Sequence, residues 1–411
     1  MKKMWKNYKQ TIVLLLAIII GAIVGGIFKE KVKILKPFGD IFINLMFVII
    51  IPLVFLTIST SISKMKQPKR LGKIMGSTIF VIIVTSVIAV LVGILSTYFI
   101  KLVETHNQEI IKSQFAEEVE SKEDKTILDR TVEAVTVNDF SGLFSRKNLI
   151  AVMVFSILTG IAMNMAGERA RPLENVLISA NEVVMNIIKL ITYYAPIGLG
   201  CYFAVLVGTF GESIAIGYAK TFVIYTLVAI AFYIIVYTVY AFISGGKRGI
   251  KVFWKNVINP TVISIATCSS AASIPANIEA AKKMGVSSDV AETVIPLGTS
   301  FHKDGSIIGT VFKIMFLVGL FGASISGVGG IMQILLVGLV ATLLVSAVPI
   351  GGGTISEMMI LSMMGYPVVA LPMLTIIATI IDPPATMLNV TGNTAASMLV
   401  GRIVDGKNKE R

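Results

Sequence analysis

Five adjacent residues carry the most conspicuous chemistry in this 411-residue chain: His302, Lys303, Asp304, Gly305 and Ser306. Ile295-Pro296-Leu297 comes shortly before them, Ile307-Ile308 follows directly, and Phe312 to Phe321 is almost wholly apolar. The setting is that of a membrane span. Three ionisable side chains in a row are costly in hydrocarbon, so such residues face a protein-lined cavity and mark an ion or solute path. Gly305 would let the backbone open so that carbonyls can face a bound ion. A short cytoplasmic loop would explain the same residues more simply. The nearest loop signals, however, lie well upstream at Lys282-Lys283-Met284-Gly285.

The composition requires elements that can carry such residues through lipid. The chain is 55% apolar and 15% charged, where a soluble domain carries about a quarter charged residues. This is the composition of a multi-span membrane protein, and 35 glycines suit close helix packing and broken helices. A net charge of +12 does not call for nucleic acid, because the positive residues sit at span ends. Cys201 and Cys268, the two cysteines, offer neither a disulfide framework nor a metal cluster. The apolar run Thr11 to Phe28 follows a lysine-rich start. It is long for a signal-peptide core and no cleavage motif follows, so it reads as a retained first span.

Runs able to cross about 30 Å of hydrocarbon fall near 11–28, 38–62, 74–100, 148–165, 175–207 and 219–244. Pro52 would kink the second. Thr85 and Ser86, in the middle of the third, hold hydroxyls that commonly bond back to their own helix. Between Glu104 and Asp139 stand ten acidic and four basic residues, a net charge of −6, which reads as a solvated extracellular connector. Lys64, Lys66, Lys69, Arg70 and Lys73, then Arg169 and Arg171, then Lys247, Arg248, Lys251 and Lys255 all fall on one side if both termini are cytoplasmic. Lys29, Lys31, Lys33 and Lys36 break that pattern; snorkelling at the interface is the one account available for them.

After Trp254 the simple helical pattern stops. Val262 to Ala266 and Ile274 to Ala281 flank the run Thr267-Cys268-Ser269-Ser270-Ala271-Ala272-Ser273. A polar opening of this kind is tolerated at membrane depth only inside protein, so the segment reads as a re-entrant hairpin. The pattern recurs as an apolar arm Ile331 to Leu344, a tip Val348 to Thr354 and a return Met358 to Met364. A last span near 367–402 carries Asp382-Pro383-Pro384 and Asn389-Val390-Thr391-Gly392-Asn393. Interrupted apolar segments at matching places in two halves point to a transport site. A plain eight-to-ten-helix bundle would leave Lys303, Asp304, Glu357 and Asp382 at membrane depth unexplained.

The order of these motifs resembles the glutamate transporter-like family of dicarboxylate and amino acid:cation symporters. It runs serine-rich hairpin, Asp304-Gly305-Ser306, glycine-rich hairpin, then Asn389-Val390-Thr391-Gly392. Lys36-Pro37-Phe38-Gly39-Asp40 and Ala195-Pro196-Ile197-Gly198 extend the likeness over nearly the whole chain. The resemblance implies an all-α fold of eight transmembrane helices plus two re-entrant hairpins arranged as inverted repeats. It further implies an elevator-type homotrimer in the cytoplasmic membrane, with membrane lipid and a small-molecule substrate as partners. In that division, residues 1–73 and 147–210 form a scaffold. Residues 74–103, 211–246 and 247–411 form a transport domain, and 104–146 is the acidic loop.

Carried over by the resemblance, Ser269, Ser270, Gly351, Gly352, Asp382, Thr386 and Asn389 would bind substrate, with Asp382 taking an ammonium group and Asn389 a carboxylate. Thr85, Ser86, His302, Lys303, Asp304, Asn389 and Asn393 would serve the coupling ion. Asp304, Asn389 and Asn393 would be ligands if that ion is sodium; a proton is the other possibility, and no organic cofactor is implied. The family's clamp arginines correspond to Ala385 and Cys268, so a neutral amino acid is favoured over an acidic one, with a C4-dicarboxylate as alternative. Lys303 replaces a methionine, and a fixed ammonium there would repel a nearby sodium by several kcal/mol at an effective dielectric of about 20. Lys303 could also reach across to Asp382 or Glu357. A channel, or a membrane-embedded enzyme using His302, Asp304 and Asp382 for acid–base work, remains as the other functional class.

Overall fold

In a computed structural model of the chain, residues 2–63, 69–103, 136–145, 148–210, 212–323, 325, 327–343 and 352–406 are described. Every regular element among them is helical. Helix α1 (Lys2–Phe28) joins α2 (Lys36–Ser63) through the 3-10 turn Lys29–Leu35, and α3 is Lys69–Thr97. The acidic connector lies outside the described residues over 104–135. Its end is the single turn α4 (Phe140–Leu143), capped by Asp139, whose carboxylate accepts from the Ser141 and Gly142 N–H groups. Hydrogen bonding from the Ser141 side chain, then from those two amides, holds the Asp139 carboxyl below the usual carboxylate range.

Helix α5 (Leu149–Ala166) leads through a 3-10 turn to α6 (Arg171–Phe210). Next, α7 (Glu212–Ala231) runs through a π-helical segment, Phe232–Val236, into α8 (Tyr237–Asn256). Among the described residues, five stretches are long and apolar enough to cross a membrane. They are Ile12–Phe42, Lys73–Thr97, Ile214–Asn256, Ser288–Phe321 and Val368–Asp405; the bent pair Val154–Ile191 and Tyr193–Thr209 makes a sixth. This is a polytopic membrane protein, helical throughout the regular elements of its described residues.

The second half is built from interrupted helices. Helices α9 (Ile258–Thr267) and α10 (Ile274–Lys283) pack against each other across the serine-rich break, where Cys268 takes the left-handed conformation at φ 46°. Helices α11 (Ser288–Phe301) and α12 (Asp304–Phe321) are parted by two non-helical residues, the extended His302 (φ −104°, ψ 107°) and Lys303 (φ −140°, ψ 68°). The opening therefore falls before Asp304 and not at Gly305, which corrects the hinge role expected for that glycine. Gly305 lies inside α12, where an added Cβ would stand 2.3 Å from the Ala385 carbonyl oxygen. Its function is close approach. Helix packing in lipid rests on such contacts between small residues.

Helices α13 (Gly327–Leu343) and α14 (Gly352–Met364) follow. The expected glycine-rich tip between them, including Gly351, lies outside the described residues. The last helix, α15 (Leu371–Asp405), keeps Pro383 and Pro384 inside it, so the carbonyls of Thr379 and Ile380 lose their usual donors.

Two packing groups emerge. Helices α1 and α2 lie on α6, and α2 on α5, whereas α3 packs on α11, α12, α13 and α15. Apolar side chains such as Ile20, Ile23, Val176 and Leu190 on the first group are exposed. In the second, α12 from Ile307 to Leu320 and α15 from Ala385 to Val400 are almost wholly buried. The polar residues of interest occupy this buried group.

Candidate functional site

The break before α12 carries His302 into the interior, where its ring joins three elements. Nε2 lies 2.8 Å from Thr85 Oγ1 on α3, and Nδ1 lies 3.0 Å from Asn393 Oδ1 on α15. Nε2 is also 3.1 Å from Asp304 Oδ1. Thr85 Oγ1 stands 2.9 Å from the Val81 carbonyl. Asp304 opens α12, where the positive end of the helix dipole favours a carboxylate. Its Oδ2 accepts from Tyr237 at 3.1 Å, a hydroxyl that also reaches the Leu388 carbonyl at 2.7 Å.

His302, Asp304, Thr85, Ser86 and Asn393 are all buried. Ser86 Oγ and Asn393 Nδ2 have no hydrogen-bond partner among the described residues, an expensive state for buried polar atoms. Gly392 is what lets the cluster close: a Cβ there would come within 2.6 Å of the Tyr237 hydroxyl and 2.9 Å of Asp304 Oδ2. Of the residues expected at the coupling ion, Thr85, His302, Asp304 and Asn393 meet around the imidazole; Asn389 bonds Ser306 instead.

Of the expected substrate residues, Asp382, Thr386 and Asn389 follow one another along α15 and form a neighbouring, less buried seam with the start of α12. Asn389 grips the start of α12, donating from Nδ2 to Ser306 Oγ at 3.0 Å and accepting from the Ser306 N–H at 3.2 Å. Asp382 and Lys303 are half-buried. Asp382 accepts from Thr386 Oγ1 at 3.1 Å and interacts electrostatically with Lys313 and then Lys303. Ala385 is buried against Gly305. Ser269 keeps its bonds within the first break, accepting from the Ala272 N–H and the Ser273 hydroxyl. Ser270 precedes the 3-10 turn there. Gly352 is the first residue of α14. Behind the seam, Asn277 of α10 donates to the Val390 carbonyl at 2.8 Å and so ties the first interrupted pair to α15.

Several partners escape a reading of the sequence. Lys313, within the stretch read as almost wholly apolar, pairs with Glu357 on α14 at 2.9 Å, both side chains buried. Thr375 of α15 completes the carboxylate at 2.7 Å. Lys303 consequently does not pair with Glu357, one of its two expected partners; the carboxylate it feels is Asp382. A lysine in an apolar decapeptide was itself the available signal. Tyr237 and Tyr225, the latter donating to the Gly305 carbonyl at 2.7 Å, gave none, since aromatic residues in apolar runs read as packing.

The model of the sodium:dicarboxylate symporter family matches residues 11–403. The chain is 26% identical over 407 residues to a proton/sodium-glutamate symport protein of Bacillus caldotenax, covering 96% of this chain and 94% of that one. It is likewise 26% identical to a C4-dicarboxylate transport protein of Pseudomonas syringae, with 97% and 85% covered. A proton/glutamate-aspartate symporter of Escherichia coli is 25% identical, with 97% and 94% covered. A family match over nearly the whole length makes the protein a transporter and not an enzyme: the chain belongs to the sodium:dicarboxylate symporter family.

Proposed function

We propose that this protein is a cation-coupled secondary symporter for small amino acids or C4-dicarboxylates, with a neutral amino acid as the favoured substrate. The observation that carries this reading is the contact of Asn389 with Ser306 in the first turn of α12, with a half-buried Asp382 on the same helix as Asn389. A helix N-terminus with a neutral amide suits a carboxylate, and Asp382 suits an ammonium. Relatives carry glutamate or C4-dicarboxylates by name. Here the chain from 249 to 401 contains no arginine, so no guanidinium fork is available for a second carboxylate. A C4-dicarboxylate remains the second reading because Lys303 lies within the electrostatic reach of Asp382.

The coupling ion is sodium, a proton, or both. Oxygens of Asp304, Thr85 and Ser86 suit a hard cation, while the His302 ring and the nearby Lys303 ammonium argue for fewer sodium ions. Packing supports α1, α2, α5 and α6 as a scaffold, and α3 with α7 to α15 as a mobile transport unit carrying two re-entrant hairpins. An elevator motion of that unit, a homotrimer built on the exposed apolar faces of the scaffold, eight spans and cytoplasmic termini in the cytoplasmic membrane complete the reading. The test is uptake into proteoliposomes by the purified chain with sodium and pH gradients varied independently. Counterflow of labelled against unlabelled substrate is expected; conduction without counterflow would mean a channel.

A further inference from the structure

The buried Lys313–Glu357 pair serves neither the seam nor the His302 cluster directly. Its oxygens are fully used: Glu357 Oε1 accepts from Lys313 Nζ at 2.9 Å and Oε2 from Thr375 Oγ1 at 2.7 Å. Such a pair inside a membrane protein is costly to assemble, and replacing both partners with apolar residues is often neutral or stabilising. Stability alone is therefore a weak reason for it. Its placement offers a better one.

Helices α12 and α15 pack in register, Gly305 against Ala385 and Gly309 against Ile381. Lys313 is one turn beyond Gly309. Helical side chains lean toward the N-terminus of their helix, so the Lys313 stem leans back toward the level of Ile381 and its neighbour Asp382. Lys313 thus stands within electrostatic reach of Asp382. Glu357 on α14 holds the tethered ammonium, and Asp382 on α15 is the second carboxylate near it.

We propose that Glu357 sequesters Lys313 and thereby leaves Asp382 open to the ammonium group of a substrate, making Glu357 and Lys313 specificity-determining residues for solutes that carry an amine. The inference rests on the reading of Asp382 as the amine's partner. Freed from Glu357, the lysine would occupy Asp382 as an internal competitor at the high effective concentration of a tethered group. It would reject amine-bearing solutes and admit those without an amine.

The test is ligand binding to the purified full-length chain, using aspartate with succinate and alanine with lactate, pairs that differ at the amine. In Glu357→Gln, affinity for the amine-bearing member is expected to fall about tenfold or more at an effective dielectric of about 20, with its partner unchanged or tighter. Glu357→Asp should keep wild-type discrimination. The double variant Lys313→Met with Glu357→Gln removes the competitor and should restore amine binding to near wild type, which keeps the test decisive if the single variant does not fold. Equal weakening of both pair members in Glu357→Gln, or amine binding still lost in the double variant, overturns the proposal. Asp382→Asn separates the two levels: if it leaves amine binding intact, the reading of Asp382 itself has failed.

Discussion

His302 on the broken α11–α12 segment and Thr85 on α3 meet at 2.8 Å, Nε2 to Oγ1, with both side chains buried. The contact joins the third span to the interior of the second packing group. His302→Ala removes one side of that bond and of the bond to Asn393. Each buried polar group left unpaired costs about 1–3 kcal/mol, so a clear fall in the thermal midpoint of the purified chain is expected, together with loss of uptake. A midpoint equal to wild type would show that the ring contributes no net binding between these helices.

Asp382→Asn is expected to abolish binding of amino acids and to affect a C4-dicarboxylate less, because a dicarboxylate has no ammonium for the lost charge to hold. Competition against labelled substrate in proteoliposomes measures both. Tight aspartate or glutamate binding by the wild type, with weak binding of neutral amino acids, would contradict the expected preference.

Gly392→Ala puts a methyl group within 2.6 Å of the Tyr237 hydroxyl, an overpacking that costs about 1–3 kcal/mol. Gly401→Ala on the same helix meets Val286 at 3.6 Å, an ordinary contact, and should be tolerated. Melting curves of the two variants side by side give the comparison; equal midpoints would argue against a crowded cluster.

Lys303→Met removes the half-buried ammonium beside Asp382. If that charge stands in for a sodium ion, the variant should show steeper sodium dependence of initial uptake than wild type. Should the wild type already require several sodium ions per substrate and the variant behave alike, the tethered charge plays no part in coupling.

The two interrupted segments should reach the interior from opposite faces. Cysteines at Ser270 and Gly352 are then expected to react with a membrane-impermeant thiol reagent from different sides. Labelling of both from one side, as ordinary loop residues, would rule out the paired hairpins.

The breaks in α9–α10 and α11–α12 could be read in the sequence because polar residues at membrane depth have few permitted settings. Ser269 and His302 declare themselves by type alone. Gly305 does not, since a glycine that opens a backbone and one that admits a neighbour look identical until Ala385 is seen against it. Lys313 was visible as a residue, but its partner lies 44 positions away on another helix, and nothing in the linear order distinguishes Glu357 from Asp382 as the acceptor. Tyr237 was out of reach for a different reason: its hydroxyl matters only through the rotation of α8 about its own axis.

The π-helical segment Phe232–Val236 lies immediately before Tyr237. A π-turn accommodates one residue more than the α-helical turn it replaces. The wider turn takes up that extra residue, so loss of a single codon there would restore a regular helix and leave the later side chains of α8 close to their present orientation. Tyr237 would stay against Asp304, and Trp254 against Tyr233. Gain or loss of one codon at this point is therefore an evolutionary step that the helix can absorb without changing the residue it shows to the buried carboxylate.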